Sequence, residues 1–426
     1  MSREKGDPPL ASAGWGSAIG SLRNTQYRWL WMGNVSFFFA MQAVSMIIRP
    51  LIALDLTDNK PAALGMVSFA VAVPMLVLSP FGGVLADRVE RRRLIMIGQG
   101  LALTGEALTL GLYVTGLLRF WHLVLLATGM GALFATMMPA RQAIVVDIIG
   151  KARLGNAMAL NMAGMNVTRI LGPATAGFLV ASLGIQGTYA GAMALYLVAW
   201  LTLIRVHPSR PPAGMRRLPV VESLSEATRY LRSERLVLLM LLFGLVPMFL
   251  MMPFQTLLPI FANDVWGTGT SGLGLLNAMA GLGGVAGSFV VALRGDTDHR
   301  LRLMLVSVFG FGVFLALFGF SPWFGLALGL LLVANVFATV FGVLNNTAVQ
   351  QLIPDQVRGR ISAFLMMSFS LPMLGTLPVS IAAQAYGAPL AVGVSAVLAM
   401  VVAALFCLGS PTLRGLDARV RAELDA

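Results

Sequence analysis

The chain has 426 residues, 57% of them apolar and only 11% charged, with 46 glycines and a formal charge of +12. A soluble protein carries roughly twice that charged fraction; this composition instead calls for lipid as the solvent, where backbone groups must be satisfied inside helices. Cys407 is the single cysteine, which excludes disulfides within one chain and cysteine-based metal clusters.

Residues 1–28 form a polar lead without the short apolar core and small-residue cleavage site of a secretory signal, so the first apolar segment is expected to be retained. A membrane helix needs about 20 predominantly apolar residues. Twelve stretches qualify, at about 29–54, 63–86, 94–117, 121–140, 156–182, 187–205, 235–261, 272–293, 303–320, 322–346, 361–385 and 388–409. They group into a first bundle of six (29–205), a Pro- and Arg-rich linker (206–234), a second bundle of six (235–409) and a tail (410–426). The expected fold is an all-α integral membrane protein of 12 transmembrane helices in two pseudo-symmetric six-helix bundles.

The first span carries Asn34, Gln42, Ser45 and Arg49 at steps that share one helical face, with Phe38 on the same stripe. A polar seam on an apolar helix should face a cavity or another helix, not lipid. Between the second and third spans lies a knot of charge, Gly83 to Arg93, which includes Asp87, Arg88, Arg91, Arg92 and Arg93. In the third span Glu106 is the one carboxylate near the middle of a helix, and an ionisable residue there marks a functional site by default. It is the candidate for proton coupling; a structural partnership with an arginine or with backbone groups is the competing reading. The fifth span contains Gly172, Pro173 and Gly177, small residues that permit close backbone approach and a proline that bends the helix. Arg169 lies just before them.

In the seventh span Phe249, Met252 and Gln255, with neighbouring methionines, make an adaptable wall suited either to a ligand or to helix packing. The tenth span has a second polar seam, Asn335, Thr339 and Asn346. Arg49 and Arg169 could bind an anionic substrate or pair with Glu106.

Lysines and arginines number 26 in the connections on the side of the N-terminus and 2 on the other side. Cytoplasmic loops carry that excess, which places both termini in the cytoplasm. The basic charge therefore reflects topology, and no nucleic-acid partner is expected. A shift of 209 residues lays Ala63-Leu64-Gly65 on Gly272-Leu273-Gly274, Asp87 on Asp296 and Arg91 on Arg300. Repeated halves of six spans imply a pseudo-two-fold axis along the membrane normal, with a substrate site between the halves. Gly150-Lys151 has neither the upstream glycine nor the following Ser or Thr of a phosphate-binding loop, and no His-Glu-x-x-His or Gly-x-Ser-x-Gly occurs. The chain is accordingly expected to be neither a primary pump nor an enzyme, and to need no cofactor.

The knot at Gly83–Arg93 resembles the cytoplasmic loop motif of the major facilitator superfamily, with Glu90 where that family usually has glycine. Leu22-Arg23-Asn24 through Gly33 and Pro139-Ala140-Arg141-Gln142 are similar to the branch that contains the enterobactin and macrolide exporters. Gly172 to Gly177 resembles the core of a motif of proton-coupled exporters. The resemblance implies alternating access, a cavity lined by spans one, four, seven and ten, and a cytoplasmic gate in which Asp87 meets the start of the eleventh span near Arg360. It also implies export of a small amphipathic or anionic organic molecule, drug-like or siderophore-like, in exchange for protons. The partners would be membrane lipid, that small molecule and protons, the protein a monomer, and its place a bacterial inner membrane. An uptake carrier or lipid-like solute transporter without proton antiport is the alternative, and a membrane scaffold or receptor a remote one.

Overall fold

A computed structural model describes residues 20–150, 153–209, 220–294, 299–353 and 370–417 of the chain. Every regular element among them is a helix. The first span, α1 (Thr25–Asp55), starts where the Asn24 side chain accepts the N–H groups of Gln26 (2.9 Å) and Tyr27 (3.2 Å), satisfying two donors that the helix leaves unpaired. It is followed by α2 (Pro61–Arg88), α3 (Arg91–Val114) and α4 (Phe120–Ile149). The next run, Leu154–Ile204, is interrupted at Gly184, whose φ of 71° and ψ of 176° leave the helical region. A positive φ is cheap only for glycine, and here it reverses the chain: Gly164 packs on Trp31 and Val35, while Thr202 packs on Gly33 of the same stretch. We call the two arms α5 (154–183) and α6 (185–204).

A connecting helix, Val220–Ser233, leads into the second half: α7 (Arg235–Val265), α8 (Gly269–Arg294), α9 (Arg300–Gly319), α10 (Phe324–Leu352), α11 (Leu371–Tyr386) and α12 (Ala388–Gly409). Ten runs among the described residues are long and apolar enough to cross a membrane. One of them doubles back at Gly184, and α11 is the described part of the expected eleventh span, whose residues 361–369 lie outside the described residues.

Two expected boundaries move. The fourth span was expected to stop at residue 140 and instead continues to Ile149, because Pro139 is absorbed inside the helix, as membrane helices permit. The tenth runs on to Leu352. The first move matters, since it carries Arg141 out of a loop and into the protein interior.

The halves repeat in packing as well as in sequence. In the first, α1 lies against α5 and α6, α2 against α4, and α3 against α4 and α6; in the second, α7 lies against α11 and α12, α8 against α10, and α9 against α10 and α12. Even the anchoring of the third helix recurs. The Arg91 N–H donates to the Ser209 carbonyl just beyond α6 (2.9 Å), and the Arg300 N–H donates to Asp417 just beyond α12 (3.0 Å).

Two symmetry-related contacts join the halves, α2 with α11 and α5 with α8. Both are built on glycine. A β-carbon on Gly177 would stand 2.7 Å from the Gly274 Cα, and one on Gly65 would stand 2.9 Å from the Leu377 Cα. Such approach lets dispersion contacts accumulate between backbones where no hydrophobic effect is available. Gly65 and Gly274 are the pair that the 209-residue shift superposes.

These contacts lie at the membrane face opposite the termini. The α5 stripe turned toward α8 shows where they end: Ile170, Pro173 and Gly177 are covered, whereas Ala159, Ala163 and Asn166, one to three turns nearer the termini, are exposed. The two halves close on the far face and part on the face of the termini.

Candidate functional site

Two polar clusters occupy the interior of the first half. Nearer the far face, the Arg49 guanidinium donates to one oxygen of the Glu106 carboxylate and the Tyr189 hydroxyl donates to the other. Arg49, Glu106 and Tyr189 are all buried. An isolated charge in such a place costs several kcal/mol or more, so the pairing is what permits either group to be there. The sequence left the partner of Glu106 open between Arg49, Arg169 and backbone; the structure pairs it with Arg49. A π-helical turn, Val44–Ile48, immediately precedes Arg49 and offsets it from the straight α-helical stripe of Asn34, Gln42 and Ser45.

Nearer the termini, Arg141 of α4 is buried with no carboxylate beside it. Its guanidinium donates to the Asn34 side-chain oxygen and, with the Gln99 amide oriented to satisfy both its neighbours, to the Gln99 oxygen. The Gln99 nitrogen then donates to the Ala199 carbonyl (3.2 Å). The Arg141 guanidinium carbon also stands 4.3 Å from the centre of the Phe37 ring and 5.4 Å from that of Phe38, cation–π distances that replace water by ring faces. Tyr196 is buried, packed edge-on to Phe37 with 5.3 Å between ring centres. The Tyr196 hydroxyl and the Arg141 Nε have no hydrogen-bond partner. The first half thus holds two polar clusters, Arg49, Glu106 and Tyr189 nearer the far face and Arg141, Asn34 and Gln99 nearer the termini.

Sequence reasoning missed Arg141, Gln99, Tyr189 and Tyr196. The expected fourth span ended at residue 140, so Arg141 read as one of the basic residues of the connection that follows. Spacing carries no signal for the tyrosines, which read as ordinary membrane aromatics.

The other candidate residues scatter. Asn34, Phe38 and Arg49 are engaged inside the first half, Gln42 is wedged against Gly172 between α1 and α5, and Ser45 is half-buried. In the second half Asn335 is buried, donating to the Leu331 carbonyl of its own helix (2.9 Å), and Thr339 packs on Gly287 of α8. Asn346 and Phe249 are exposed, and Met252 and Gln255 are half-buried neighbours. Gly172 and Pro173 are buried with Gly177, the first against α1 and the last against α8, so this short motif touches both halves.

The charge knot is tied down within its own half. Arg91 pairs with Asp147 at the end of α4 (2.6 Å to Oδ1), and Ser209 donates to the same carboxylate. Arg92 donates to the carbonyls of Leu203 (2.9 Å) and Ile204 (3.0 Å) at the end of α6. Gly83 and Asp87 lie in the last turns of α2, and Arg88 and Arg93 are exposed. The Asp87 side chain, Asp296 and Arg360 lie outside the described residues. Among the described residues no group of three or more His, Cys, Asp or Glu could hold a metal.

A family model described as transmembrane secretion effector matches residues 16–423. The chain is 25% identical over 342 residues to the staphyloferrin A transporter of Staphylococcus aureus (strain NCTC 8325 / PS 47), covering 78% of this chain and 83% of that one. It is 30% identical over 296 residues to the enterobactin exporter of Citrobacter koseri, covering 66% and 67%. Among solved structures, the nucleoside transporter NupG superposes with a TM-score of 0.74 at 13% identity, covering 90% of this chain and 99% of that one. A bacterial homologue of the human lysosomal transporter Spinster, in an inward-facing and unoccupied conformation, gives 0.68 at 15% identity, covering 95% and 98%. At these identities the structures speak for the fold.

Proposed function

From the premise that this chain belongs to the transmembrane secretion effector family of the major facilitator superfamily, and is thus a multi-pass membrane transporter and not an enzyme, we propose that it exports a small amphipathic or anionic organic molecule in exchange for protons. The reading places it in a bacterial inner membrane with both termini in the cytoplasm, working as a monomer by alternating access. Siderophore-like molecules are the favoured cargo, since that is what the named relatives handle.

The observation that carries alternating access is the asymmetry of closure, and the outward direction rests on the secretion family and its exporter relatives. With the covered half of the α5 stripe at the far face and the exposed half toward the termini, the opening faces the side on which the Lys/Arg excess puts the cytoplasm. An exporter loads from that side. Reversal needs the glycine contacts to part and the other side to close, at which point Asp87 and the arginines of the knot would lock the start of the eleventh span near Arg360. In the present state Arg91 and Arg92 are held within their own half, as an unlocked gate requires.

Glu106 is the proposed proton site. Protonation would remove its charge from Arg49, leaving a buried cation whose re-pairing or rehydration biases the half toward its other state.

The test is uptake into inside-out membrane vesicles of enterobactin and staphyloferrin A, with and without an acid-inside pH gradient. Accumulation that needs the gradient and collapses on its dissipation supports the proposal, as does its loss in Glu106→Gln. Gradient-independent movement, or accumulation only in right-side-out vesicles, would overturn it in favour of an uptake carrier.

A further inference from the structure

Once Arg49 is paired with Glu106, and Arg141 is enclosed by Asn34, Gln99 and two rings, the cation left well inside a span, among the described residues, is Arg169 of α5. It makes no hydrogen bond or ion pair with another described residue, yet it is exposed. An unpaired guanidinium in a span is costly in lipid, so the face on which it lies needs an explanation.

Helical spacing gives one. Gly164, Thr168 and Gly172 sit on the face of α5 that meets α1, and Ile170 and Gly177 on the face that meets α8. Two exposed ridges remain between those faces. One is Val167, Leu171 and Phe178, wholly apolar and suited to lipid. The other is Met158, Met162, Met165 and Arg169, at steps of four, three and four. Arg169 and its ridge lie on the side of α5 opposite the Val167, Leu171 and Phe178 ridge, between the faces that meet α1 and α8, so where the apolar ridge takes the lipid this one faces the gap between the halves. It lies one residue from Ile170, which packs on Gly281 of α8, so it stands at the closed end of the opening, with the three methionines lining the way in.

We propose that Arg169 binds the carboxylate or other anionic group of the cargo at the apex of the opening, with the methionine ridge holding an apolar or aromatic body behind it. The ligand class is an amphipathic organic anion. This rests on the exporter reading above and goes beyond it by assigning the anion-binding residue, a role that Arg49 is not free to take. A guanidinium suits a carboxylate because its planar donors meet two oxygens at once. Methionine suits a variable apolar body because its thioether and three rotatable bonds adapt to shape. Arg169 holds no other element in place, so its replacement should leave the fold intact.

The experiment uses the full-length protein and three probes that share one ring system: pyrenebutyrate (anion), pyrenebutanol (neutral) and pyrenebutylamine (cation). Binding is measured on purified wild type, Arg169→Gln and Arg169→Lys, with thermal unfolding of each recorded alongside. Wild type should favour the anion over the alcohol by about tenfold or more, the span expected of a charged hydrogen-bonding contact. Arg169→Gln should reduce anion binding to the level of the alcohol, leave alcohol binding unchanged and unfold at the same temperature. Arg169→Lys should recover part of the preference. Unchanged anion preference in Arg169→Gln overturns the assignment, as does equal or weaker binding of the anion by wild type, or loss of all three probes together. The gradient-driven vesicle flux of Arg169→Gln separates the two levels: flux of cargo that persists at wild-type affinity sinks the Arg169 assignment alone, whereas absence of gradient-driven flux in wild type sinks the exporter reading itself.

Discussion

A carboxylate in the middle of an apolar helix is tolerable only with a partner, and Glu106 has two, Arg49 and Tyr189. Removing one member of a buried ion pair leaves the other uncompensated, a loss of about 3–5 kcal/mol, while removing both can be nearly neutral. Arg49→Ala should therefore destabilise the protein more than the double variant Arg49→Ala/Glu106→Ala, measured by thermal unfolding in detergent. Additive losses would show that the two residues do not act as a pair. Glu106 was legible in the sequence because a lone acid in an apolar run stands out. Its partner was not, since the approach of α1 to α3 is a tertiary fact that no spacing encodes. Arg141 was hidden for a different reason: an arginine next to the expected end of a span at residue 140 reads as a loop cation, whereas the helix runs on to Ile149 and buries it.

At the scale of helices, α5 is the element on which the halves turn. Gly172 and Gly177 give it close contact with α1 on one side and α8 on the other. A valine at 177 would force its β-carbon against the Gly274 backbone, which side-chain adjustment cannot relieve, so Gly177→Val should prop open the far face and abolish gradient-driven flux while leaving the protein folded. Gly65→Val should act alike through α11, because it is the equivalent contact of the repeat. Wild-type flux in either variant would mean that close approach at these glycines is not required for the transport cycle. This level was readable to a useful degree. The Gly-Pro segment at 172–173 pointed to a close helix contact and the repeated Ala/Gly-Leu-Gly at 63–65 and 272–274 to two like halves, while only the fold reveals that these glycines form two related contacts between the halves. The polar seams of α1 and α10 carried less. Period alone identifies a face that avoids lipid, and it cannot tell a face turned to a cavity from one turned to a neighbouring helix, which is where Asn335 and Thr339 are found.

The molecule as a whole is two like halves in contact at one membrane face and parted at the other, with the methionine ridge of α5 lining the gap. Cysteine labelling tests this most directly. Met162 is 63% exposed on that ridge, and Cys407 is the only native thiol. In a Cys407→Ser background, Met162→Cys should react quickly with a membrane-impermeant maleimide in inside-out vesicles and slowly in right-side-out ones. Fast labelling from the outside alone, or no labelling from either side, would contradict an opening that faces the termini in the cytoplasm.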